Sequence, residues 1–261
     1  MLLPRVTPCL LISDNGLVKT KKFKDKKYVG DPINAIRIFN EKKCDELIVL
    51  NIDATSKKIE IDFEKIKKFA AECRMPLCYG GGIKSVEQAK AIISLGVEKV
   101  AISSITIEDE NIIKDMANEI GSQSVVVVLD VKKNMFGKYV VYTHNGTKNT
   151  GIELNDMIYR IQESGAGEVV INSIDNDGMM SGYDIKLAKR LKDIISIPLT
   201  MIGGAGKYED LKALLDSCGI IGAAAGSLFV FKGIYRAVLI NYPNEHQKNS
   251  LYKRVNYENK K

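Results

Sequence analysis

The sequence contains no tryptophan and only two histidines, His144 and His246. With two imidazoles and no HExxH spacing, there is little material for a histidine-built metal site, and neither a structural metal nor a cofactor is expected. Cysteine is also sparse. Cys9, Cys44, Cys73, Cys78 and Cys218 are odd in number and share no CxxC spacing, which argues against a disulfide framework and for reduced thiols. No stretch approaches the ~20 uninterrupted apolar residues of a membrane span, so no membrane partner is expected. The opening MLLPRVTPCLLI is apolar but broken by Pro4, Arg5 and Pro8, which suits a first strand better than a signal-peptide core and points to a cytoplasmic location. The formal net charge of +6 suits an anionic ligand, with much of it in the segment Lys19 to Lys27 and in the C-terminal tail. Aromatic residues do not interleave with this charge, so nucleic acid is not an expected partner.

What is present is a regular alternation. A hydrophobic fraction of 45% over 261 residues is enough for a core, and the length lies near the about 250 residues usual for an α/β barrel. Short β-branched runs alternate with helical patterns, the signature of βα units around a parallel sheet. The runs lie near Val6 to Ile12, Glu46 to Ile52, Leu77 to Gly80, Lys99 to Ser103, Ser124 to Val131, Glu168 to Ser173, Leu199 to Ile202 and Ile220 to Ala225. Helical stretches include Ile33 to Lys42, Phe63 to Glu72, Val86 to Ser94 and Tyr208 to Ser217. VVVVLDV reads as a strand covered on both faces. The expectation is one α/β domain over residues 1–243, a (β/α)8 TIM barrel, with an open doubly wound sheet as the alternative. Residues 244–261 are polar without apolar periodicity and read as a frayed tail.

An internal repeat favours the barrel. YGGGIKSVEQAKAIISLGVEKVAISS (Tyr79 to Ser104) lies over IGGAGKYEDLKALLDSCGIIGAAAGS (Ile202 to Ser227) without a gap, at an offset of 123 residues. Gly81 then matches Gly204 and Ser104 matches Ser227, while LNIDATS over NSIDNDG brings Asp53 onto Asp175. Two similar half-barrels account for this. Glycines directly after a strand leave backbone N–H groups open to an anion, and the next helix N-terminus adds its positive end. Gly81 and Gly82 with Ser103 and Ser104, and Gly203 and Gly204 with Gly226 and Ser227, therefore read as two phosphate cradles. Either cluster alone reads equally as a tight βα turn. Duplicated, they imply an elongated, phosphorylated small-molecule ligand.

On these residues, and on RVTPCL, GDPINA, DELIVL, GSQSVVVVLDVK, KNTGIEL, SGAGEVVINSIDNDG and SGYD, the chain resembles HisF, the cyclase subunit family of imidazole glycerol-phosphate synthase. The resemblance implies a heterodimer with a HisH-type glutaminase. In that family, ammonia freed from glutamine crosses the barrel and reacts with a long bisphosphorylated ribonucleotide, a lyase and cyclase step of histidine biosynthesis. It also implies two catalytic aspartates, at the ends of strands 1 and 5. Asp130 matches the second, and Lys19 and Asp177 join the glycines as expected ligand contacts. The first position is Leu11, which cannot transfer a proton. Asp14, three residues on, falls on the other side of the strand. Asn51 stands where the family has an aspartate.

Arg5, Glu46, Lys99 and Glu168, at the starts of strands 1, 2, 4 and 6, match the family's charged ring at the ammonia entrance. Read without the resemblance, such positions often carry solvated charges. A retained entrance beside a halved acid/base pair resembles the HisF-like branch associated with glycosyl amidation, WbuZ. That branch implies a surface-polysaccharide pathway and, as a further partner, an N-acetyl-sugar amidotransferase. The segment Lys19 to Lys27 reads either as a flexible lid or as a solvated surface run. An ordinary histidine-pathway cyclase and a non-catalytic scaffold that activates a glutaminase are the other two readings.

Overall fold

The computed structural model describes residues 3–252. Valine-rich runs set the pattern: Val125 to Val128 are buried on both sides of the sheet, as a strand between a filled bore and a helical coat must be. In chain order the elements are β1 (Arg5–Ser13), β2 (Gly16–Lys21), β3 (Lys24–Gly30), α1 (Pro32–Glu41), β4 (Leu47–Asn51), α2 (Phe63–Glu72), β5 (Leu77–Gly80) and α3 (Val86–Ser94). Next come β6 (Lys99–Ile102), α4 (Ile105–Glu108), α5 (Ile112–Ile120), β7 (Val125–Lys133), β8 (Tyr139–Thr143), β9 (Lys148–Glu153), α6 (Leu154–Glu163) and β10 (Glu168–Ser173). The chain continues through α7 (Ile185–Lys192), β11 (Leu199–Ile202), α8 (Tyr208–Cys218), β12 (Gly222–Ala225), α9 (Ser227–Val230) and α10 (Glu245–Tyr252).

β1, β4, β5, β6, β7, β10, β11 and β12 pair in parallel in that order, and β12 returns to β1, so the sheet closes. The fold is a (β/α)8 barrel, and the open-sheet alternative is excluded by the β12–β1 and β7–β10 ladders. The larger apolar core lies between sheet and helices: Leu154, Met157, Ile158 and Ile161 of α6 bury one stripe at helical spacing. A smaller cluster, including Cys9, Ile48, Ala101, Val128 and Val170, fills the bore from alternate strand positions. Helix starts are fixed by the side chains of Asp31, Asp62, Ser85 and Asp184, each accepting a backbone N–H of its own first turn.

Two elements differ from the sequence reading. Lys19 to Lys27 is an ordered hairpin, β2 with β3, rather than a flexible loop. The tail is helical over α10, because Lys248 Nζ (2.7 Å) and Tyr252 Oη (2.7 Å) both bond to the Asp45 carboxylate, a polar anchor that apolar periodicity does not reveal. Residues 253–261 of the expected tail lie outside the described residues.

The repeat extends to hydrogen bonds. Ile52 N donates to Ile12 O at 3.0 Å, and its repeat mate Ile174 N donates to Val131 O at 3.0 Å. Asp53 Oδ2 accepts the Asp14 N–H at 3.0 Å, and Asp175 Oδ2 accepts the Lys133 N–H at 3.3 Å. In both halves a hairpin follows the first strand, β2–β3 after β1 and β8–β9 after β7. These bonds put Leu11 and Asp130 at equivalent places, and likewise Leu50 and Asn172.

Candidate functional site

At the C-terminal ends of the barrel strands a cavity of about 500 Å³ opens. Gly81, Gly82, Ser103 and Ser104 line one side, and Gly203, Gly204, Gly226 and Ser227 line the other. Gly81 and Gly204, matched by the repeat, both hold left-handed backbone, φ 125° and 110°. A side chain on Gly81 would strike the Asn51 carbonyl, and one on Gly204 the Gly182 carbonyl, so both turns admit only glycine. Lys19, Asp130 and Asp177 line the same cavity. All the residues read from the sequence as ligand-facing thus converge on one mouth. Among the described residues no three His, Cys, Asp or Glu side chains gather into a metal site.

Asp130 ends its inward-facing row on β7. Burial pushes its carboxyl up to about 7, against the Asn172 hydrogen bond and with help from the Asp177 charge. Asn172 Nδ2 donates to Asp130 Oδ1 at 3.0 Å. The equivalent pair in the other half is Leu11 and Leu50, both lining the cavity, so of these four equivalent positions at the ends of the strands only Asp130 carries an ionisable side chain. Asp14 is exposed, paired to Lys57 Nζ at 2.6 Å and outside the cavity lining, so it does not replace the missing carboxylate. Asn51 lines the cavity, and its Oδ1 accepts the Asp53 N–H at 3.1 Å.

The hairpins roof the cavity by crossing to the opposite half. From the first half, Thr20 Oγ1 (2.8 Å) and Phe23 N (3.3 Å) donate to Asp177 Oδ2, and Lys22 N donates to the Asp177 carbonyl at 2.9 Å. Burial raises the Asp177 carboxyl, opposed by the Thr20 and Phe23 bonds and the Lys19 charge. Lys19 is buried, its Nζ donating to the Cys9 carbonyl at 2.6 Å beside Gly226; burial lowers its pKa. From the second half, Asn145 Nδ2 donates to the Ile52 carbonyl at 2.8 Å and to Ser56 Oγ at 3.3 Å. His144, Asn145, Phe23 and Asn172 all face the cavity, and the sequence reading singled out none of them for it. His144 stood out by its rarity alone; the other three carry no local signal.

At the opposite end of the barrel, Arg5, Glu46, Lys99 and Glu168 close a cycle of ion pairs. Arg5 meets Glu46 at 2.9 Å and Glu168 at 2.7 Å, while Lys99 meets them at 2.7 and 2.9 Å. Thr200 Oγ1 adds a 2.6 Å bond to Glu168. Burial works to raise the Glu168 carboxyl, yet Arg5 and Lys99 hold it below its ordinary value. Burial likewise works to lower Lys99, and Glu168 and Glu46 hold it raised. Each charge is therefore satisfied twice, which a buried ion pair needs if it is not to be a net cost.

Residues 5–235 match the family described as histidine biosynthesis protein. A Leptospira borgpetersenii protein, provisionally named imidazole glycerol phosphate synthase subunit HisF, is 54% identical over 253 residues, covering 97% of this chain and 100% of the relative. A Pseudomonas aeruginosa protein, provisionally named subunit hisF2 of the same synthase, is 49% identical, covering 92% and 96%. The Alkaliphilus metalliredigens imidazole glycerol phosphate synthase subunit HisF is 37% identical, covering 90% of this chain and 93% of its own.

Proposed function

The chain belongs to the histidine biosynthesis family as a HisF-type subunit, and on that premise we propose that it receives ammonia at one end of the barrel and delivers it to a phosphorylated acceptor at the other. The donor is a HisH-type glutaminase docked over Arg5, Glu46, Lys99 and Glu168, forming a heterodimer. One observation carries the reading: a closed charge cycle and a glycine-lined cavity occupy opposite ends of one bore, with Asp130 at the cavity end. The duplicated cradles suit an acceptor with a phosphate at each end.

Leu11 and Asn51 favour an acceptor other than the histidine-pathway ribonucleotide. The relatives near half identity carry provisional names, while the one at 37% carries the plain one, which fits a side branch. The role we assign is ammonia supply for amidation of a sugar in a surface-polysaccharide pathway of the cytoplasm, with an N-acetyl-sugar amidotransferase as the consuming partner. Purified chain supplied with ammonium and the bisphosphorylated ribonucleotide tests this. Slow turnover is expected, and turnover matching an ordinary cyclase would return the protein to histidine biosynthesis. Millimolar phosphate is expected to raise the melting temperature by mass action; no shift would favour a non-catalytic scaffold. Lys99→Ala, if folded, is expected to uncouple glutamine hydrolysis from product while leaving phosphate binding intact.

A further inference from the structure

The half-barrel that presents Leu11 where the other presents Asp130 is also the half onto which the opposite hairpin is tied. Asn145 bonds to the Ile52 carbonyl and to Ser56, just beyond β4. Ile52 N in turn bonds to Ile12 O, next to Leu11. A hairpin rooted in Asp130's own strand is therefore anchored over the ends of β1 and β4, and the residue beside the anchor is His144. His144 lines the cavity together with Leu11, Leu50 and Asp130. It is held in left-handed backbone, φ 53°, followed by Asn145 at 56° and Gly146 at 72°. These are the torsions of a tight hairpin turn, shared by Asp14 and Asn15 between β1 and β2 and by Lys22 and Phe23 between β2 and β3, and they fix where the His144 side chain leaves the hairpin.

Its imidazole is aligned but not used up. Nδ1 lies 3.1 Å from the buried Thr143 hydroxyl, and Nε2 has no hydrogen bond to the described residues. Apart from Asp130, the other titratable groups of the cavity are committed, peripheral or, in the case of Cys9, buried with the thiol pushed up to about 11. Lys26 pairs with Asp53 at 2.6 Å, Lys19 bonds to the Cys9 carbonyl, and Asp177 holds Thr20 and Phe23. Lys58, Lys84 and Glu108 sit on its exposed rim.

We propose that His144 is the second proton-transfer group of this site, acting across the cavity from Asp130 on the nitrogen that ammonia brings. The proposal rests on the ammonia-delivery reading above and sharpens its acceptor to a compound with an electrophilic carbonyl carbon. The nitrogen of ammonia bonds to that carbon, and the C=O π pair moves to oxygen, which takes a proton from the Asp130 carboxyl. His144 Nε2 takes the proton shed by the new ammonium centre, giving a neutral carbinolamine. The imidazolium then protonates the hydroxyl, which leaves as water as the nitrogen lone pair forms C=N. One of the two iminium N–H protons then passes to the Asp130 carboxylate, leaving the neutral C=NH, so both groups end as they began.

Two histidines make the test clean. In chain labelled at the imidazole ring, with His246→Asn for assignment, inorganic phosphate is expected to shift the His144 signals saturably and leave those of His246 in place. A His144 ring indifferent to phosphate would overturn the proposal. In ammonium-driven turnover of the bisphosphorylated ribonucleotide, His144→Asn is expected to lower kcat on the order of 10²-fold with little change in KM. Leu11→Asp in that background is expected to recover part of the loss. Unchanged kcat, or a loss of phosphate affinity that accounts for the whole effect, would make His144 a binding residue and sink the proposal. Parent chain that binds phosphate yet turns over no ribonucleotide removes that acceptor from the broader reading and leaves the ring signals to decide. Parent chain that binds no phosphate overturns the broader reading itself.

Discussion

The two half-barrels share a backbone and divide the chemistry between them. The bonds Ile52 to Ile12 and Ile174 to Val131 have the same length, and each half follows its first strand with a hairpin that crosses to the other. At the cavity end the first half presents Leu11 and Leu50 where the second presents Asp130 and Asn172. At the far end both cations of the ion-pair cycle, Arg5 and Lys99, come from the first half, and the equivalent carboxylates Glu46 and Glu168 come one from each. The lesson is that a duplicated scaffold conserves hydrogen-bond geometry, which the fold needs twice, and lets side-chain chemistry specialise, which a single ligand needs only once.

The largest effect should come from removing chemistry from the half that has it. Asp130→Asn is expected to lower ammonium-dependent turnover on the order of 10²- to 10⁴-fold, whereas Leu11→Ala should change it several-fold at most. Stability runs the other way. The Asp130 carboxyl titrates at about 7 in the folded chain against an ordinary 3.8, so the native state binds this proton more tightly than the unfolded one. Stability is therefore lost as pH rises from 3.8 through about 7. Asp130→Asn should be more stable than the parent above neutrality, by about 1–2 kcal/mol since the residue is only partly buried where it lines the cavity, with the gain fading in acid. Urea unfolding at several pH values reads this directly, and a pH-independent difference would contradict the raised carboxyl.

The charged ring tests whether equivalent positions are also energetically equivalent. Glu168 and Glu46 match by the repeat, and each bonds to Arg5 and Lys99, but Glu168 alone also accepts Thr200 Oγ1, at 2.6 Å. Glu168→Ala leaves Arg5 and Lys99 sharing Glu46 alone and strands a buried hydroxyl, and should cost about 3–5 kcal/mol. Glu46→Ala should cost less by about 1.5 kcal/mol, the worth of one hydrogen bond to a charged group. Equal losses at unchanged m-value would show that Thr200 contributes nothing.

Much of this arrangement could be read in the residues themselves. Strands announced themselves as β-branched runs because both faces are covered, the glycine cradles followed from the repeat, and Leu11 stood out only against the family resemblance. The hairpins were hidden. A segment with as many lysines as 19–27 looks solvated, yet Lys19 is buried and Thr20 is latched to Asp177, far away in the chain. α10 went unseen because Asp45, not an apolar face, holds it. His144's place over the first half depends on an Asn145 bond spanning 93 residues, and no local pattern encodes such a contact.

The smallest effect expected is also the narrowest test of the duplication. Asp53 and Asp175 are repeat mates, and each accepts the backbone N–H at the end of the first strand of its half. Beyond that bond they part. Asp53 is almost fully buried and also accepts from Ser13 Oγ (2.8 Å), Lys26 Nζ (2.6 Å) and Lys57 Nζ (3.0 Å). Burial works to raise its carboxyl, but the two ammonium groups and the Ser13 hydroxyl hold it well below the usual carboxylate range. The stability this contributes is present above the ordinary value of 3.8 and is lost only as pH falls toward the depressed native value. Lys26 and Lys57 are 37% and 44% exposed, so they rehydrate when the carboxylate goes. Asp53→Asn should therefore cost about 2 kcal/mol at neutral pH, at the low end for charged hydrogen bonds in a buried setting. Asp175 has one longer backbone bond, so Asp175→Asn should stay within about 0.5 kcal/mol of the parent. Chemical unfolding of the two variants side by side measures the difference. If both cost the same, the shared backbone bond sets the value of the position, and the lysines around Asp53 are a solvated fringe.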